Sequence, residues 1–206
     1  MNTRVLCLLL PLLTFAFPSA AGDVAMLASS LKQGGHVIVF RHVATDDSQK
    51  GVYPFRFDDM RAQRQLSDKG REAARAIGAA LRAGGIPLGD VYASRLNRAV
   101  ETARLVAGKD VTTRDELTDS GAASASKMAN PEGDNAKAGS AVRSLVNSAA
   151  RPGVNAVLVT HKTNITDAFG KDFADIGEGE ALIFRPAAPA PVLVARIKAE
   201  DWANLR

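Results

Sequence analysis

Apolar positions in this chain fall into short unbroken runs, separated by stretches with helical spacing. Val37-Ile38-Val39-Phe40 is such a run, and it stops abruptly at Arg41-His42. Ala156-Val157-Leu158-Val159 repeats the pattern and stops at Thr160-His161. Runs of this length without alternation predict strands buried on both faces, as in a parallel sheet covered by helices. Between them Ala73, Ala74, Ile77, Ala80 and Leu81 share one helical face, with Ser67 or Asp68 as the cap and Gly84-Gly85 as the stop. Val91-Tyr92-Ala93-Ser94 predicts a short strand, Leu96 to Ala107 a helix, and Val111-Thr112-Thr113 another strand. Helices are expected at 23–32, 138–149 and 164–169, and closing strands at 181–185 and 192–197. Residues 44–63 carry little periodicity. Residues 118–136, rich in Ser, Ala, Gly, Asn and Asp, predict a long mobile loop placed to cover a site. The expected fold is a single α/β domain: a mostly parallel central sheet with helices on both faces.

The first segment departs from this pattern. Arg4 precedes an apolar run from Val5 to Phe17, and Ser19-Ala20-Ala21 offers small residues for cleavage before Gly22. Residues 1–21 therefore read as a signal peptide too short to span a bilayer, leaving a domain over 22–206. The expected location is periplasmic or secreted, with no stable membrane anchor after cleavage. Cys7, the sole cysteine, lies in the removed segment. The mature chain then has no disulfide, no cysteine nucleophile and no thiolate metal site. The formal charge of +4 comes from cations that form no dense run, and aromatics are only 5%, which argues against a nucleic-acid partner. A modest positive balance suits an anionic small molecule or envelope glycan.

Parallel strands deliver the residues at their carboxyl ends to one edge of a sheet, where ligands bind. His42 and His161 follow two matching strands, whereas His36 begins one. Arg95 stands at a strand-to-helix junction and Arg98 one helical turn later, where helix amides already favour an anion. Guanidinium groups add bidentate recognition of phosphate oxygens. Arg98 could alternatively pair with Glu101 on a solvated helix face.

Arg41-His42-Val43, Leu66-Ser67-Asp68-Lys69-Gly70, Tyr92-Ala93-Ser94-Arg95-Leu96-Asn97-Arg98-Ala99-Val100-Glu101-Thr102-Ala103 and Val159-Thr160-His161 stand in the order of a known family. The chain resembles the histidine phosphatase (phosphoglycerate-mutase-like) superfamily over nearly all of its mature length. The resemblance implies that His42 is the nucleophile, with Arg41, Arg98 and a protonated His161 completing a phosphate pocket. It implies no metal and no cofactor. Asp119, in Leu117-Thr118-Asp119, matches the general-acid position, with Glu116, Glu178 and Glu180 as other candidates. Arg95, Thr45 and Lys162 are the substrate-binding candidates. Two positions depart from the family pattern. Val43 replaces the signature glycine and is expected to narrow the room beside the nucleophile. Lys162 replaces the common glycine after His161, and either touches phosphate or is solvated.

The signal peptide, the Phe40-Arg41-His42 strand end and Ile165-Thr166 resemble a small exported branch that includes the lipopolysaccharide core heptose phosphatase. The resulting expectation is a metal-independent phosphomonoesterase acting on a small phosphorylated, envelope-sugar type of substrate. A mutase would need to shield its phosphoryl group from water, and no long enclosing insertion is visible. The other reading is a non-catalytic phosphate- or phosphosugar-binding envelope protein that keeps the pocket.

Overall fold

The computed structural model describes residues 20–52, 55–118 and 134–205. The part of the expected signal peptide through Ser19, Asp119 and the body of the expected covering loop, 119–133, lie outside them.

Helix α1 (Ala20–Gln33) leads into strand β1 (Val37–Arg41). Next come α2 (Asp68–Ala83), β2 (Leu88–Ala93), α3 (Asn97–Ala107) and the two-residue β3 (Thr112–Thr113). The chain continues through α4 (Asp134–Ala149), β4 (Asn155–Thr160), α5 (Lys162–Phe169), β5 (Ala181–Arg185) and β6 (Val192–Ile197). The strands form one sheet in the order β3-β2-β4-β1-β5-β6. The four strands from β3 to β1 run parallel, and β5 and β6 close the sheet antiparallel.

The two apolar runs are the sheet's centre. Every residue of β4 is buried, as are Val37 to Phe40 of β1. Alternate side chains feed two cores, as a pleated strand requires. Ile38, Phe40, Val157 and Val159 pack with Ile77, Leu81, Ala99 and Ala103 of α2 and α3. Trp202 closes that side, with its ring centroid 5.4 Å from that of Phe40. Val37, Val39, Ala156 and Leu158 pack on the opposite face with Val142, Val146 and Ile165 of α4 and α5. A helical layer on each face explains why neither run alternates in polarity.

Element boundaries differ from the sequence reading mainly at helix starts. α5 begins at Lys162, directly after His161, whose carbonyl accepts the Ile165 N–H at 3.1 Å. Its first turn is polar, so the apolar spacing that announces a helix begins only at Ile165. α4 likewise starts at Asp134, inside polar composition.

His36 lies at the far end of the sheet from the other two histidines. Its N–H reaches Asn155 Oδ1 at 3.3 Å, and Asn155 Nδ2 donates to Leu31 O and Pro87 O at 2.7 and 3.0 Å. This buried network ties α1 to β1 and β4 and gives His36 a structural role.

Near the strand ends, the Ala44 carbonyl accepts Ser67 N at 3.1 Å and Ser67 Oγ at 3.3 Å. Ser67 Oγ in turn caps α2 by accepting Gly70 N at 3.0 Å. This approach leaves no room for a side chain at residue 70: a Cβ there would sit 2.0 Å from Ala44 O. Gly70→Ala is expected to cost about 1–3 kcal/mol of stability through overpacking. Activity should fall with it, because Ala44 lies two residues beyond His42. Urea unfolding compared with an exposed control such as Glu72→Ala checks this, and equal midpoints would refute it.

Candidate active site

Register brings the two histidines together. Arg41 pairs with Thr160 across β1 and β4, so the next residues, His42 and His161, leave adjacent strands at one level. Their ring centroids are 5.3 Å apart, edge to face at 60°. Both side chains are buried. His42 Nδ1 lies 2.8 Å from Val43 O. A carbonyl only accepts, so Nδ1 carries the proton and Nε2 keeps its lone pair. That is the tautomer a nucleophilic imidazole needs.

Burial and nearby cations keep this ring neutral. Burial first, then the Arg98 cation, with smaller effects of Arg41 and Arg64, push the His42 pKa down to about 3. His161 is likewise held well below the ordinary range by burial, then Arg98, then its neighbour His42, Arg41 and Arg64. Without a bound anion His161 is therefore neutral, because burial and three nearby guanidinium groups disfavour a fourth positive charge; the protonated form implied for it belongs to a pocket holding phosphate. An arriving phosphate dianion would reverse that balance.

Arg98 is buried in the first turn of α3, as its spacing predicts. Glu101, the alternative partner on the same helix, instead accepts from Arg71 Nε of α2 at 2.7 Å. Arg41 is braced by Nη1 to Ile176 O at 2.8 Å and by Nη2 to Glu178 Oε1 at 3.3 Å. Its buried Nε has no hydrogen-bond partner among the described residues, nor does the buried hydroxyl of Thr45. Buried donors of this kind require an acceptor, which phosphate oxygens supply.

The other candidates divide. Arg95 points to the rim, its guanidinium 4.0 Å from the Phe57 ring centroid and 3.4 Å from Asp115 Oδ1. This places Arg95 at the periphery of the pocket, outside the cations that act most on the histidines. Lys162 opens α5 half-buried, and its charge is felt by Asp175 instead. The expected crowding by Val43 is also corrected. Its side chain turns into the apolar core, against Gly179, where a Cβ would lie 3.3 Å from Val43 Cγ1. Gly179, at φ +76°, donates its N–H to both Arg41 O and His42 O at 3.2 and 3.1 Å. The glycine of this turn thus makes space for the valine of the signature.

Among the acid candidates, Glu180 is committed elsewhere. It accepts from Arg196 Nε and Nη2 and, at 2.6 Å, from Gly177 N. Burial works to raise its pKa, but these donors hold it lowered, so it is a fixed anion. Glu116 is exposed. Thr118, just before Asp119, is anchored at the strand ends: its Oγ1 accepts Arg95 N at 3.1 Å and its carbonyl accepts Asn164 Nδ2 at 3.2 Å.

Arg64 was not singled out by its sequence context, a loop without periodicity. The loop returns to the site because Thr45 bridges to Leu66 and because Gln63 Oε1 accepts the Asn97 N–H of α3 at 2.8 Å. An arginine two residues ahead of Leu66-Ser67-Asp68 was the one local signal.

The assembled site gathers guanidinium groups around a neutral imidazole whose Nε2 keeps its lone pair. Residues 37–153 match the family described as histidine phosphatase superfamily (branch 1). Solved structures share the fold. The protein histidine phosphatase SixA complexed with tungstate is 13% identical, with 81% of this chain and 98% of that chain covered at a TM-score of 0.57. Phosphoserine phosphatase from Entamoeba histolytica, in complex with 3-phosphoglyceric acid, is 16% identical, with 79% and 96% covered at 0.55. Mycobacterial glucosyl-3-phosphoglycerate phosphatase complexed with VO3 is 18% identical, with 78% and 97% covered at 0.53. No curated protein sequence matches the chain significantly. The chain belongs to the histidine phosphatase superfamily, branch 1, which places it among the phosphoric monoester hydrolases.

Proposed function

We propose that this protein is a metal-independent phosphomonoesterase that works through a phosphohistidine on His42. One observation carries the reading: His42 Nδ1 is held by Val43 O at 2.8 Å, which leaves Nε2 unprotonated inside a ring of guanidinium groups. Nε2 attacks phosphorus as the ester P–O bond breaks, and the leaving oxygen takes a proton from the general acid. Water then attacks the phosphohistidine, the acid's conjugate base accepts its proton, and phosphate leaves with His42 restored. Arg41, Arg98, Arg64 and His161 stabilise the equatorial oxygens throughout. Asp119 is our assignment for the acid, supported by its place beside the anchored Thr118.

The substrate we propose is a small phosphorylated molecule, with an envelope sugar phosphate as the natural pool. The signal-peptide pattern supports export to the periplasm or beyond, and the net positive charge supports an anionic ligand. Phosphoserine and glucosyl-3-phosphoglycerate, named for the structural relatives, are small phosphomonoesters of this kind.

Phosphate release from p-nitrophenyl phosphate and a phosphosugar panel tests the reading. Turnover should persist in EDTA, and Asp119→Asn should slow esters with poor leaving groups by about 10²–10⁴-fold while sparing p-nitrophenyl phosphate. Phosphate binding without turnover across the panel would instead favour a binding protein. Loss of activity in EDTA, restored by a divalent metal, would also overturn the mechanism.

A further inference from the structure

Ser94 follows β2 and is fully buried beside His161. Its Oγ lies 2.8 Å from His161 Nε2, accepts Leu96 N–H at 3.2 Å, and lies 3.4 Å from Thr118 Oγ1. Thr118 Oγ1 already accepts Arg95 N–H, and its own proton goes to Arg114 O at 3.3 Å. Ser94 therefore has one proton and two acceptors in reach, the imidazole nitrogen and the threonine oxygen.

We propose that Ser94 is a positioning residue whose hydroxyl rotates between His161 and Thr118 as His161 gains and loses a proton during phosphate binding and release. With His161 neutral, the shorter contact takes the Ser94 proton, so Nε2 accepts and the ring proton sits on Nδ1. That Nδ1 is buried and has no partner among the described residues, so it is left for a phosphate oxygen. When the dianion arrives, His161 takes a proton from solvent at Nε2, an O–H bond of hydronium breaking as the N–H forms. Its new N–H donates to Ser94 Oγ, and the Ser94 proton turns to Thr118 Oγ1. The Ser94 and Thr118 hydroxyls keep an acceptor in both states, and the His161 Nδ1–H gains one when phosphate binds. The groups acting on His161 through this change are Arg98, His42, Arg41 and Arg64.

This inference rests on the phosphatase reading for its kinetics but not for its spectroscopy. Long-range ¹H–¹⁵N spectra of the full chain, with His161→Gln for assignment, should show neutral His161 protonated on Nδ1. Orthovanadate should shift it to the doubly protonated form. Ser94→Ala should lose the Nδ1–H preference and about 100-fold in kcat/KM, and Thr118→Val about 10-fold. Thr118→Val should also lower the pH at which vanadate protonates His161, and Thr118→Ser should restore it. An Nε2–H tautomer in the wild type, or a vanadate-linked titration unmoved by Thr118→Val, would overturn the proposal. If the wild type hydrolyses no ester yet these spectra behave as stated, the phosphatase reading fails and the hydroxyl switch stands.

Discussion

His42→Ala should abolish turnover, with a loss on the order of 10⁴–10⁶-fold in kcat, the scale on which removal of an essential nucleophile is felt. Three facts set that expectation. The Val43 carbonyl fixes the tautomer, so Nε2 is ready without a separate base. The ring stays neutral because protonation would place a charge in a buried pocket facing three guanidinium groups. No other described nucleophile is placed to take over: His161 Nε2 is occupied by Ser94. The variant should remain folded, because His42 contributes one hydrogen bond to the residue next to it and no ion pair. Rapid quench in alkali should trap acid-labile phosphate on the wild type and none on the variant. Residual turnover near the wild-type level, or phosphate trapped on a different residue, would remove His42 from the mechanism.

Much of this site was legible along the chain because burial on both faces leaves a continuous apolar run. Such a run ends conspicuously, at His42 and at His161, and parallel pairing then places both ends together. Arg98 was legible for a similar reason, lying one helical turn beyond a strand end. What escaped depends on contacts between distant segments. Arg95 and Arg98 are equivalent in local sequence, yet one stacks on Phe57 from the preceding loop and the other turns inward. Arg64 reaches the pocket only because Gln63 docks on the first amide of α3. The direction of Val43 is set by Gly179, more than a hundred residues later, and no spacing rule reports that approach. The neutrality of His161 before an anion binds was illegible on the same ground. Any one guanidinium is visible in the sequence, but their sum at one imidazole exists only in the fold.

That sum yields the second large expected effect, in which activity and acid stability move in opposite directions when Arg98 is replaced. Arg98 is the foremost charged neighbour depressing both His42 and His161. Below about pH 6.5 the unfolded chain binds protons on these imidazoles that the folded chain refuses. Stability must then fall with falling pH, until His42 begins to protonate in the native state at about 3. The slope approaches about 1.4 kcal/mol per pH unit for each such histidine. Carboxylates with lowered pKa, namely Asp46, Asp175 and Glu180, add their own loss only below about pH 4.5, where unfolded carboxyls take up protons. The interval from 6.5 to 4.5 therefore belongs to the imidazoles. Arg98→Met keeps the aliphatic stem and removes the charge. It should lower kcat/KM by about 10²–10³-fold through loss of one oxyanion donor. It should also let both histidines protonate at higher pH in the folded state, so the urea midpoint falls less steeply between pH 6.5 and 4.5. Adding orthovanadate to the wild type should flatten the same slope, because a bound anion offsets the same cations. Parallel pH slopes in wild type and Arg98→Met would show that the charge ring does not govern these imidazoles. A wild-type midpoint that stays level from pH 6.5 to 4.5 would refute the depressed histidines altogether.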